Sequence, residues 1–131
     1  MLEKYLRQLT DDLEMEPVDP KDKRGFWRIP LTSEIQISLR ALEPGLYLFS
    51  PLAPCPKERK EDIFTFLMRG NFLGLGTGGA AVALDAEEKF LTLSLALTYD
   101  MNYLNFKETL EDFVNFLDYW RDELIRLEKK E

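Results

Sequence analysis

The densest group of residues able to do chemistry is a run of glycines. Four of the seven glycines in this 131-residue chain fall between Gly74 and Gly79, and Gly74-x-Gly76-x-x-Gly79 has the spacing of the dinucleotide fingerprint. In that fingerprint a strand leads into the glycine turn and a helix leads out, so that the free amides of the helix N-terminus face a pyrophosphate. The flanking sequence here runs the other way. From Ile63 the apolar residues recur at helical spacing, whereas Ala80 to Leu84 is short, small and apolar like a strand. With the helix first, no helix N-terminus points at a phosphate, and no Gly-Lys-Ser or Gly-Lys-Thr follows to make a P-loop. Gly74, Gly76, Gly78 and Gly79 therefore read as structural: they end a helix at positive φ and let two backbones pass closely.

Other chemistry is equally constrained. The chain has no histidine and one cysteine, Cys55. Ser–His–Asp and Cys–His arrangements are impossible, as are imidazole or thiolate metal cages and an internal disulfide. A carboxylate pair can act as acid and base, but the acidic residues are scattered among Lys and Arg on helix faces, the pattern of a solvated surface. The expectation is a protein that is not an enzyme and takes no cofactor or metal. A net charge of −7 argues against a nucleic-acid partner and suits one with a basic surface. No apolar run approaches the roughly 20 residues of a membrane span. Glu3 and Lys4 interrupt any signal-peptide core, so the chain is expected in the cytoplasm. Apolar content of 45% and charged content of 31% fit one globular domain over residues 1–131.

The elements follow from periodicity. Leu2, Leu6, Leu9 and Leu13, with Tyr5 beside them, predict a helix over 1–15, stopped by Pro17 and Pro20. Phe26-Trp27-Arg28-Ile29 is a short strand closed by Pro30; its adjacent aromatics must lie on opposite faces. Residues 34–42 alternate, with Ile35, Ile37, Leu39 and Ala41 on the buried face. Glu43-Pro44-Gly45 turns the chain into a strand over 46–50 that is apolar on both faces, and Pro51, Pro54 and Pro56 end it. A helix over 58–69 carries Ile63, Phe64, Phe66, Leu67, Met68 and, just beyond, Phe72 on more than one side; in so small a domain the second side faces a partner subunit. Residues 80–84 and 90–98 form a hairpin, with Leu91, Leu93, Leu95 and Leu97 on one face. Asp100 or Asn102 caps a last helix over 103–128, where Phe106, Leu110, Phe113, Leu117, Trp120, Leu124 and Leu127 step by four and three. Val114, Phe116 and Ile125 make this stripe too wide for a coiled-coil seam, so the helix is expected to lie across a sheet.

The block Asn71-Phe72-Leu73-Gly74-Leu75-Gly76-Thr77-Gly78-Gly79-Ala80 resembles the hallmark segment of the small class I chaperones of bacterial type III secretion, the CesT-like (Tir chaperone) family. Tyr119-Trp120-Arg121 in the last helix is also similar to that family. The order read above, helix, three strands, helix, two strands, helix, equals the family's α+β fold, a twisted antiparallel sheet with packed helices. The resemblance implies a cytoplasmic protein of a Gram-negative bacterium that binds the N-terminal region of one or more secreted effectors in extended form and keeps them soluble and secretion-competent. Partners are then the effector and a second copy, or a paralogous chaperone in a heterodimer; neither nucleic acid nor membrane insertion is involved. By resemblance, the first helix and neighbouring strands supply the effector grooves, with Tyr5, Leu6, Leu9, Leu13, Phe26, Trp27, Ile29, Ile35 and Ile37 as candidates. Ile63, Phe64, Leu67, Met68 and Phe72 are the candidate dimer seam. The rival reading is a chaperone-like regulator that binds another cytosolic machine, such as transcription apparatus.

Overall fold

The computed structural model describes residues 2–32, 34–57, 60–71, 80–85 and 87–129. Eight elements follow one another: α1 (Leu2–Asp12), β1 (Phe26–Pro30), β2 (Gln36–Leu42), β3 (Gly45–Pro54), α2 (Lys60–Asn71), β4 (Ala81–Leu84), β5 (Phe90–Leu97) and α3 (Tyr103–Lys129). The fold is α+β, with a five-stranded antiparallel sheet in the order β1-β2-β3-β5-β4. This is the element order that the periodicities predict. The chain divides into two compact units, Met1–Phe49 with Ala96–Leu110, and Ser50–Leu95 with Glu111–Glu131.

In the first unit α1 buries Leu2, Leu6 and Leu9 on one side, the i, i+4, i+7 spacing that places side chains on one helical face. The helix ends at Asp12, earlier than the prolines suggest. Glu14 takes φ 53°, its amide donates to the Asp11 carbonyl, and the Met15 amide reaches the Thr10 carbonyl at 2.8 Å. That pair of bonds is a Schellman cap, which glycine fills without strain and glutamate does not. Glu14→Gly is therefore expected to stabilise the fold by on the order of 0.5 kcal/mol, strain relief being partly offset by the extra freedom of the unfolded chain. Thermal melting checks this, and an unchanged or lowered midpoint contradicts it. Leu13, past the last turn, leaves the expected apolar stripe and is 45% exposed.

β1, β2 and the start of β3 pair in the registers Trp27↔Leu39, Ile29↔Ile37 and Leu39↔Leu48. Trp27, Ile29, Ile37, Leu39 and Leu48 consequently share one buried face, and the residues between them point to the other. Ala41 departs from the expected alternation: it is exposed at the end of its strand, beside the turn. At the start of α3 the Asn102 carboxamide accepts the Asn105 amide at 2.8 Å, so Asn102 rather than Asp100 is the cap.

In the second unit β3 does not stop at Pro51 but runs to Pro54. Its register with β2 ends at Ser38↔Phe49; beyond that point the missing amide of a proline removes no ladder bond to β2. The Arg121 guanidinium reaches the carbonyls of Pro51 at 3.0 Å and Leu52 at 3.2 Å. α2 begins with Glu61 and Asp62 and ends with Arg69, charges that complement the helix dipole. β4 and β5 pair through Val82↔Leu93 and Leu84↔Leu91. The Asp85 carboxylate closes their turn by accepting the Lys89 and Phe90 amides at 2.8 and 3.3 Å.

Along α3 the residues Phe106, Leu110, Phe113, Leu117, Trp120 and Leu124 are only 1–4% exposed or fully buried. The stripe is thus used inside the chain, as its width predicts, and is not free to zip with another helix. Ile125 falls outside it and is exposed, because it lies about 100° around the helix from the neighbouring Leu124, which is buried.

Candidate functional site

Gly74, Gly76, Gly78, Gly79 and Phe72 lie outside the described residues. Their flanks are defined: the chain leaves α2 before them and enters β4 after them. A dinucleotide fingerprint needs the reverse order.

The candidate groove residues of the first unit separate by exposure. Leu6, Leu9, Trp27, Ile29, Ile35 and Ile37 are buried, Ile29 and Ile37 completely. Tyr5 and Phe26 are half-buried and Leu13 is open to solvent. Phe26 and Trp27 do point to opposite faces, Trp27 inward with the Lys21 ammonium 5.5 Å from its ring centre. Phe26 lies on the open face with cross-strand neighbours that the sequence reading did not single out. Arg40 pairs with both Phe26 and Tyr47 in register. The Phe26 and Tyr47 rings meet edge-on at 6.2 Å, and the Arg40 guanidinium lies 5.9 Å from the Phe26 ring centre. Phe49, half-buried opposite Ser38, extends this aromatic row. Its signal was available, since a strand apolar on both faces must leave one apolar face outside the core.

The loop ahead of β1 fixes this face. The Asp22 carboxylate accepts the Arg24 and Phe26 amides at 2.9 and 3.0 Å and pairs with Arg28 at 3.0 Å. The Phe26 amide is the main reason that its carboxyl is held below the usual carboxylate range; desolvation opposes it, and the Arg24 amide and the Arg28 guanidinium add to the lowering.

Tyr5 and Tyr103 tie α1 to the first turn of α3. The Tyr5 hydroxyl donates to the Met101 carbonyl at 2.8 Å, and the Tyr103 hydroxyl donates to the Asp12 carboxylate at 2.5 Å. The rings of Tyr5 and Phe106 are 5.5 Å apart. Desolvation, then the hydrogen bond and charge of Asp12, push the Tyr103 phenol up to about 12. A folded-state value above the unfolded one means a contribution that is complete below the unfolded value and lost as pH rises through the folded one. Stability is expected to fall between about pH 10 and 12. One of the five tyrosines should ionise last in an absorbance titration, and Asp12→Asn should move that step to lower pH without abolishing it, because desolvation remains. A late step that stays at the same pH in Asp12→Asn contradicts the assignment.

The second unit carries the candidate seam. Ile63 and Leu67 are buried on the inner side of α2, Phe64 is half-buried, and Met68 is 71% exposed. Phe64, Leu67 and Met68 line an apolar hollow of about 210 Å³ with Val82, Ala83, Leu84 and Leu91. β4 is an edge strand of the sequence Ala-Val-Ala-Leu, with three of its four residues exposed and no charge along it. Edge strands are ordinarily protected by charges, prolines or bulges; this one has only apolar side chains beside an apolar hollow.

The profile of the Tir chaperone protein (CesT) family matches residues 28–121, more than half of the chain. The chain belongs to the Tir chaperone protein (CesT) family. The match runs from Arg28 within β1 into α3, so Tyr5, Leu6, Leu9, Leu13, Phe26 and Trp27 lie outside the matched residues. A Chlamydia pneumoniae protein is 24% identical over 126 residues, covering 95% of this chain and 96% of its own length. Among solved structures, a chain of the ExsC–ExsE complex superposes with a TM-score of 0.75 at 14% identity, over 92% of this chain and 91% of that one. The complex of the Yersinia pestis type III secretion chaperone SycH with a stable fragment of YscM2 gives 0.64 at 16% identity, over 92% and 99%. At these identities the two structures establish a shared fold. Among the described residues no helix is long and apolar enough to cross a membrane.

Proposed function

We propose that this chain is a cytosolic type III secretion chaperone that binds the N-terminal region of a secreted effector in extended form, works as a homodimer, and catalyses no reaction. Membership of the Tir chaperone family carries the reading. Two surfaces support it. The open face of β1–β3 offers Phe26, Tyr47 and Phe49 to an extended segment, which binds by filling pockets and adding strands, against the entropy lost in ordering it. The hollow beside β4, with Phe64, Met68 and Leu84, suits a second copy of the chain. The whole chain acts as one chaperone domain, and its glycine block is structural.

The test is capture of the tagged chain from the cytosol that produces it, with mass spectrometry of what comes with it. A co-purifying secreted substrate is expected. Recovery of transcription apparatus instead favours the regulator reading and rejects the secretion one.

A further inference from the structure

The first unit contains a cavity of about 220 Å³. That is below the roughly 300–1,000 Å³ of sites for drug-sized molecules, and of the size to take one side chain. Leu46 and Phe106, both buried, form apolar wall, and Tyr5 and Tyr99 add aromatic surface. Glu43 and Asp100 also line it, and no Lys or Arg does. Neither carboxylate has a hydrogen-bond or ion-pair partner among the described residues, and Asp100 is released from capping α3 because Asn102 does that.

We propose that this cavity holds a lysine or arginine side chain of the bound polypeptide, an inference that rests on the client-binding reading above. A long cationic side chain matches each part of the lining. Its methylene stem lies against Leu46 and Phe106 while the charged head stays at the wet rim. There Glu43 and Asp100 supply opposite charge, and the tyrosine faces attract a cation. A leucine fills the apolar part and leaves both carboxylates unanswered; an acidic side chain is repelled by them. The cavity thus sets a sequence requirement on the client, a basic residue at one position.

Three single-residue probes test this by amide NMR titration of the free protein: the N-acetyl amides of arginine, leucine and glutamate. The arginine probe is expected to give saturable shifts at Gly45, Tyr99, Asp100 and Met101, the leucine probe to bind about tenfold more weakly, and the glutamate probe to give none. Glu43→Gln with Asp100→Asn should lower arginine affinity about tenfold, a change of about 1.4 kcal/mol, and leave leucine binding as it was. Should that pair impair folding, Tyr99→Leu gives a second reading through the loss of one aromatic face. Equal binding of arginine and leucine, no saturable shift, or arginine affinity indifferent to these variants overturns the proposal. The probes need no client, so their failure leaves the chaperone reading standing. A positive titration beside a failed capture removes that reading and keeps the cationic site.

Discussion

Gly45→Ala is expected to destabilise the fold by on the order of 3 kcal/mol, lowering the melting temperature by roughly 10 °C. Gly45 begins β3 with φ +117°, and a Cβ built on it stands 1.9 Å from the Leu97 carbonyl oxygen and 2.9 Å from its carbon. Both are backbone atoms of β5, so no change of rotamer relieves the clash and one strand must move. Gly25 supplies the control. Its φ is +86°, but its Cβ would meet only the end of the Arg40 side chain at 3.9 Å. Gly25→Ala should therefore cost only the backbone strain, about 1 kcal/mol. Equal losses in the two variants, or a Gly45→Ala protein that melts with wild type, contradict the close approach of β3 to β5.

Met68→Asp is expected to abolish self-association and leave the fold intact. The side chain is 71% exposed in the single chain and lines the hollow beside β4, so a carboxylate there is fully hydrated in a monomer. In a two-fold dimer the substitution occurs twice in one interface. Burying an unpaired charge costs about 3 kcal/mol each time, so roughly 6 kcal/mol in all weakens the dimer by about four orders of magnitude. Leu67→Asp is a poorer probe, because Leu67 is already buried within its own chain and its loss confounds folding with association. Sedimentation with thermal melting separates the two: a folded monomer supports the seam, and a folded dimer places it elsewhere.

Element order was legible in the sequence because each period had its own cause. The leucines of α1, the alternation of β2 and the four-three stepping of α3 each reported one buried face, and those residues are buried except at the ends of the patterns, where Leu13 and Ala41 are exposed and Leu127 is half-buried. Limits set by backbone geometry were less legible. Pro17 and Pro20 marked where α1 cannot continue, but Glu14 in the left-handed region ends it sooner. Pro51 and Pro54 read as strand breakers, yet β3 carries both beyond its register with β2. The glycine cluster drew attention by spacing, whereas among the described residues Gly45, which the sequence marked only as a turn, meets a close backbone neighbour.

Site residues were legible as a set of large apolar side chains and not as a surface. Periodicity identifies apolar positions without saying which of them the monomer consumes. Leu6, Leu9, Ile29 and Ile37 are spent on the core. The accessible row of Phe26, Arg40 and Tyr47 exists only once the registers Phe26↔Arg40 and Arg40↔Tyr47 are known. The cavity lined by Glu43 and Asp100 likewise joins residues far apart in sequence, which no local pattern brings together.

The composition of the complex recovered from the producing cytosol tests most directly whether this chain is a dimeric effector chaperone. Native mass spectrometry followed by limited proteolysis is expected to show two copies of this chain with one secreted protein, and a protected remnant from the N-terminal region of that protein. Recovery of the chain alone, or of a partner protected only through a folded domain remote from its N-terminus, contradicts it.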